Sequence, residues 1–594
     1  MSKEKKVIDV TEKRKGGGFK KTGINILVTL IVGFVYFYLE LPAINFQSRG
    51  FYFFFFILSA VYCVTAIITS GIWKIKSGDE FFKSVKNHCK VPLAICALFL
   101  IFIIVGTILS SELLRALAYR DLLTVETGSF KDDVEEISFD QIPLLDRASA
   151  EQLGDRKLGE LSDMVSQFEV SSDYTQINYQ DTPVRVTPLL YGDLIKWINN
   201  RHNGIPAYIR LDMVTQNVEV VRLEEGMRYT LDEHFGRNLL RHLRFNFPTF
   251  IFETPTFEID ESGAPYWVCP RVVYRIGLFG GKDINGAVLV NAVTGECEYY
   301  EEVPTWVDRV YSAELIINQY DYYGLYTKGY LNSIFGQKNV TVTTEGYNYI
   351  ALDDDVYMYT GVTSVGGDQS NVGFILANQR TKETKYYAIA GAEEYSAMSS
   401  AEGVVQHLGY KATFPLLFNI QGQPTYFMSL KDNAGLVKMY AMVNVSSYQI
   451  VATGASVKEC EINYQTLLSD NRITEEPIVV STTAEGVIEE IRSAVIEGNS
   501  VYYVKLNSSN SYYTVAAAIS DSVVIADVGD SAKIAFVGKA GDPVLSATGF
   551  EITAFWVNTA EPAETPTAAP AESGEAVTDT PAENGADSAD GAAA

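Results

Sequence analysis

Arg237, Arg241 and Arg244 recur at i, i+4 and i+7 in the stretch HFGRNLLRHLRF, a spacing that places three guanidiniums along one face of a predicted helix. On an acidic chain such a stripe can take lipid headgroups, wall polymers or a partner's carboxylates through forked hydrogen bonds, and internal pairing with Asp and Glu is the competing reading. His234 and His242 lie beside the stripe. No GxSxG elbow and no HExxH accompanies them, so hydrolytic chemistry has no visible foundation. Asp353, Asp354 and Asp355 are consecutive. Carboxylates can hold a hard cation, but neighbours on a strand point to opposite faces and the calcium-loop spacing is absent, which favours a solvated hairpin turn. GLFGGKDING lacks the GK[ST] ending of a phosphate loop and reads as a hairpin turn. With no CxxC and five histidines in the chain, no zinc site is expected, and no cofactor.

The elements that position these residues begin with three apolar runs between residues 24 and 110, each about the 20 residues that cross a bilayer core. Lys and Arg concentrate in the amino-terminal tail and, as Lys74, Lys76, Lys83, Lys86 and Lys90, in the second loop, whereas the first loop offers only Arg49. By the positive-inside rule the tail and second loop are cytoplasmic, and an odd number of spans sends everything after about Ser110 outside. Glu40, at the end of its run, is read as solvated at the interface rather than as an intramembrane functional carboxylate. The three spans carry few polar residues and are read as an anchor rather than a solute path.

The formal charge of −26 on 594 residues argues against nucleic-acid binding, which relies on a basic footprint. Cys63, Cys89 and Cys96 belong to the apolar region, leaving Cys269, Cys297 and Cys460. An odd number closes no disulfide framework, and Cys269 and Cys297 are either one bridge between neighbouring strands or separate buried thiols. From about Thr559 the chain is Ala, Pro and acids without aromatics, a composition that does not fold.

Between the spans and that tail a pattern of helix, strands and polar corner recurs. The corners LDMVTQNVE, VNAVTGECE, ANQRTKETK and VNVSSYQI place Asp212, Asn291, Asn378 and Asn444 at the start of tight turns, where an Asx side chain bonds the backbone two residues on. Helical stretches are predicted before each unit, LLYGDLIKWINNRH before the first and LDEHFGRNLLRHLRF before the second. After Asn471, short strands with closely spaced turns predict a small β-barrel, with the oligonucleotide/oligosaccharide-binding barrel as the nearest shape. In that barrel the pairs Tyr502–Tyr503 and Tyr512–Tyr513 are either core or surface.

GAVLVNAVTGECEYY resembles the closing hairpin of PepSY domains, with Asn291 where that family commonly has Asp. Stretches such as ISFDQIPLLDR and TYFMSLKDNAGLVKMYAMVN resemble a group of membrane-anchored envelope proteins of Gram-positive bacteria. The resemblance implies binding, often of a peptidase or another envelope protein, and offers no catalytic motif.

The expected organisation is α+β: a basic cytoplasmic tail (1–22), three transmembrane helices (23–112) and a juxtamembrane connector (113–188) lead into PepSY-like units (189–470). A small barrel (471–558) and a disordered acidic tail (559–594) follow. The expected function is that of a non-catalytic scaffold in a bacterial cell membrane, bound to the lipid bilayer and to an envelope protein. The alternatives are an envelope hydrolase with an unrecognised site and an accessory subunit of a membrane transport complex.

Overall fold

A computed structural model describes residues 15–70, 78–136, 142–144, 146–352, 354–366, 370–473, 482–496, 499–517, 519–537 and 543–555. Asp353, the loop lysines Lys74 and Lys76, the acidic tail 559–594 and most of the basic tail 1–22 lie outside the described residues.

The three apolar runs form α1 (Lys15–Glu40), α2 (Arg49–Ser70) and α3 (Gly78–Leu109). Within them Lys20–Glu40, Arg49–Thr69 and His88–Leu109 are long and apolar enough to cross a membrane. α2 packs against both others. Gly33 lets α1 and α2 meet, since a Cβ there would stand 2.5 Å from Leu58. The Thr69 hydroxyl donates to Asn25 Oδ1 at 2.9 Å across the same pair. Aromatic rings fill the seam between α2 and α3, with Phe55 4.8 Å from Phe51 and 5.7 Å from Phe99. Glu40 is exposed at the end of α1.

Four antiparallel sheets follow, over residues 168–227, 251–300, 341–387 and 411–454, and together with their helices they make the chain α+β. In each, five strands taken in chain order lie side by side as first, third, fourth and fifth, and the second pairs with the third beyond the first. The third sheet gains two more strands, one of them Val125–Thr127 running parallel to Thr384–Tyr387 at its edge. The fourth strands end at Asp212, Asn291, Asn378 and Asn444. There Asp212 Oδ1 accepts from the amides of Val214 and Thr215, Asn291 from Val293 and Thr294, Asn378 from Arg380 and Thr381, and Asn444 from Ser447, all at 2.8–3.0 Å. One side-chain oxygen thereby satisfies the amides that the tight turn takes out of the ladder.

The sheets are buried in pairs. Ile177, Val186 and Ile209 of the first share a core with Phe257, Trp267 and Val288 of the second. Tyr359, Phe374 and Leu376 of the third share another with Phe427, Met442 and Tyr464 in and around the fourth. The opposite face of the third is covered by helix Ala313–Leu325, through Ile316 and Tyr320.

The first sheet starts earlier than its sequence suggests. Helix Arg147–Gly159 packs on it, and residue 189 falls inside its strand Thr182–Tyr191. Helix Leu194–Asn200 lies between the third and fourth strands instead of ahead of the unit. The physical reason is that Val184–Leu189 is buried on both faces, so no alternation marks it.

The carboxy-terminal strands Thr482–Ile496, Asn499–Leu506, Tyr512–Ala516, Ser531–Val537 and Val544–Ala554 close into a barrel in the order first, second, third, fifth, fourth. Tyr513 lies in the core, 5.0 Å from the Phe536 ring, while the Tyr512 hydroxyl bonds Glu490 on the outside.

Asn291→Ala should lower stability by about 1–2 kcal/mol because two turn amides lose their acceptor, whereas Asn291→Asp retains the oxygen and should stay within about 0.5 kcal/mol of the parent. Urea unfolding of the detergent-solubilised protein checks both.

Candidate functional site

The chain leaves α1 through Leu41, which sits in the left-handed region at φ 51°, followed by Pro42. That end of the helix carries unpaired carbonyls and the negative end of the macrodipole. Two arginines meet it. Arg241 Nε donates to Tyr38 O at 3.2 Å, with its guanidinium 4.2 Å from the Tyr38 ring. Arg244 is buried; its Nε donates to Leu41 O at 2.9 Å and its Nη1 to Phe250 O at 2.6 Å, with longer bonds to Phe247 and Pro248. Burial lowers the Arg244 pKa to about 10, which leaves it charged at neutral pH. Phe245, between them, packs edge-on against Phe37 at 5.7 Å.

The stripe of three is therefore two plus one. Asn238 Oδ1 accepts from the Arg241 amide and caps the helix, which runs only over Leu239–Asn246. Arg237 stands before the cap in a 3₁₀ turn and donates to Arg201 O at 2.6 Å. The acceptors of all three are backbone carbonyls, which neither the carboxylate-pairing reading nor the ligand reading anticipates.

The other two spans are held by the second sheet as well. Between α1 and α2, the Ile44 amide donates to Pro248 O at 2.8 Å, Asn45 Nδ2 to Thr249 O at 2.9 Å and Gln47 Nε2 to Tyr274 O at 2.9 Å. Of GLFGGKDING only Gly277–Phe279 form the turn of the hairpin between strands Pro265–Ile276 and Gly280–Asn291, the rest being strand, and that tip enters the bundle. The amides of Leu278 and Phe279 donate to Ser110 Oγ at 2.7 and 3.1 Å, and Ser110 Oγ donates to Gly106 O. Leu278 rests on Gly106, where a Cβ would stand 2.5 Å from it, and the Phe279 ring is 6.0 Å from Tyr52. All three helix ends that meet the sheets thus lie on one side of the bundle.

The histidines are not brought to a common site. His234 stacks on Trp197 at 4.5 Å, while His242 Nε2 lies 2.8 Å from Gly295 O. The expected hairpin turn is present, with Leu352 paired to Asp355 and Asp354 exposed, but Asp355 is not solvated: it is buried, held by Arg380 through two bonds of 2.6 Å and by Asn378 Nδ2 at 2.7 Å. Cys269 and Cys297 are separate thiols, because strand Gly280–Asn291 runs between theirs. Two ladder spacings of about 4.8 Å exceed the reach of a disulfide.

Sequence reasoning missed the polar junction where the second strands of the sheets meet. Glu258 is fully buried; its carboxylate accepts from the amides of Asp308 and Arg309 at 2.9 and 3.2 Å. Asp308, also buried, accepts from the Asn178 amide at 2.7 Å, and its Oδ1 has no hydrogen-bond partner. Burial, and for Asp308 also repulsion from Glu258, hold both acids protonated well above the ordinary carboxylate range. Beside them, Arg185 pairs in register with Gln176 and borders a cavity of about 490 Å³ between the first, third and fourth sheets. The available signal was one charge in an otherwise uncharged strand, Arg185 in PVRVTPLLY and Glu258 in TFEI.

Arg244→Met removes the donor from four part-buried carbonyls and should destabilise the second sheet by about 2–4 kcal/mol, read as faster proteolysis within residues 239–253. The acid pair sets a pH dependence. Both carboxyls bind protons in the folded chain at pH values where the unfolded chain, with an ordinary value near 4, has released them. Their stabilising contribution is complete below about pH 4 and is lost as pH rises through the raised folded values. Melting temperatures recorded from pH 5 to pH 9 should fall, and Asp308→Asn should flatten that fall.

No family model and no curated protein matches this chain.

Proposed function

We propose that the chain is a non-catalytic, membrane-anchored binding or scaffold protein, and that its sheets stand outside the cytoplasm. The lysine placement in the tail and second loop supports that orientation. A common strand order and a common Asx corner support the view that the four helix-and-sheet units are degenerate, PepSY-like copies. The observation that carries the reading is the docking of the second sheet on the ends of all three spans, through Arg241, Arg244, Gln47 and Ser110. Such docking fixes the height and orientation of the sheets above a bilayer, which a scaffold presenting sheet edges to an envelope protein requires.

In-cell crosslinking followed by purification from native membranes tests it. We expect an envelope peptidase or a wall-assembly protein to be recovered reproducibly. Recovery of the chain alone would contradict the scaffold.

A further inference from the structure

Among the described residues Arg185 is the most deeply buried arginine, and it lines a cavity. It is 7 % exposed, and among the described residues no carboxylate lies within ion-pair reach of it. Its Nη2 donates to the neutral Gln176 Oε1 at 3.3 Å, and its Nε has no partner. Burial lowers its pKa to about 10, so it remains a cation at neutral pH.

Residues with other unpartnered donors line the same cavity, although the Tyr174 hydroxyl itself sits against Gly154. Gln176 Nε2, the Tyr174 hydroxyl and Arg309 Nε are buried without hydrogen-bond partners, and all three residues line it. The Arg309 guanidinium lies 5.3 Å from the centre of the Tyr349 ring, and its Nη2 donates to the Tyr349 hydroxyl at 3.4 Å. The charged groups on the remaining wall are already engaged: Asp146 with Lys431, and Arg147 with Glu151 at 3.1 Å. The balance facing the cavity is therefore positive, on a chain of net charge −26. Met213, Phe414, Leu416, Phe427 and Met428 supply an apolar wall.

A buried guanidinium without a counter-charge is costly, and several unpaired donors around it compound that cost. Forked donors on one wall, an apolar opposite wall and a volume in the range of small-molecule sites define one kind of ligand. We propose that this cavity binds a small amphipathic organic anion, its carboxylate or phosphate head on Arg185, Arg309 and Gln176 and its apolar body against Phe414 and Phe427. The inference rests on the reading of the chain as a binding protein and names a ligand class for it. Because the cavity walls come from the first, third and fourth sheets, the bound anion ties the two paired cores together.

The test is thermal unfolding of the full chain in detergent, titrated with N-acetylphenylalanine, its neutral amide, phenyl phosphate and inorganic phosphate. We expect saturable stabilisation by one or both organic anions, none by the amide, and at least a tenfold weaker effect of inorganic phosphate. Which organic anion acts identifies the head group. Arg185→Met should abolish the effect while leaving the unliganded melting temperature equal or higher, because it removes an unpaired buried charge. Stabilisation that persists in Arg185→Met, that is matched by the amide or inorganic phosphate, or that is absent with every probe overturns the proposal. Partner recovery in the crosslinking experiment is read independently, so loss of the anion site and loss of the scaffold are distinguishable.

Discussion

The carbonyl end of α1 is the constraint on which the arrangement of this protein depends. A spanning helix ends with unpaired carbonyls and partial negative charge, and here two guanidiniums from one short helix satisfy them. Arg244 also gathers the carbonyls of Phe247, Pro248 and Phe250, so the same side chain that closes α1 shapes the entry to the second sheet. The left-handed Leu41 is held in place from both sides, by its amide on Phe37 O and its carbonyl on Arg244. With the Leu278–Phe279 tip seated on α3, the spans become part of the fold rather than a flexible tether.

From that fixed second sheet the rest is built outward. It shares one core with the first sheet, the third and fourth share another, and the second strands of the four sheets meet between them. A junction of strand ends carries many polar groups, and this one sets Glu258 and Asp308, whose pKa values burial raises, beside Arg185 and Arg309. The two halves thus meet across a polar seam bordered by a cavity, where protonation or a bound anion acts on how they are joined.

What the sequence discloses is what its signals encode locally. The spans follow from the length of apolar runs, the four corners from single Asx residues, and the barrel from the spacing of short strands. The first sheet was hidden because Val184–Leu189 lacks alternation and helix Arg147–Gly159 is largely polar. The arginines were visible as a stripe, but Asn238 caps between Arg237 and Arg241, and no pattern in sequence says that a carbonyl 203 residues away is the partner. Arg185 and Glu258 were legible only as isolated charges in otherwise uncharged strands, a signal that marks burial without naming what is met there.

The spans and the second sheet form one structural unit. Replacing α1–α3 by a single unrelated apolar helix, and following hydrogen exchange across the chain, tests it most directly. Protection should be lost over residues 239–253 and 272–284, with the fourth sheet and the barrel unchanged. Unaltered protection in those segments would contradict it and reduce the spans to a simple anchor.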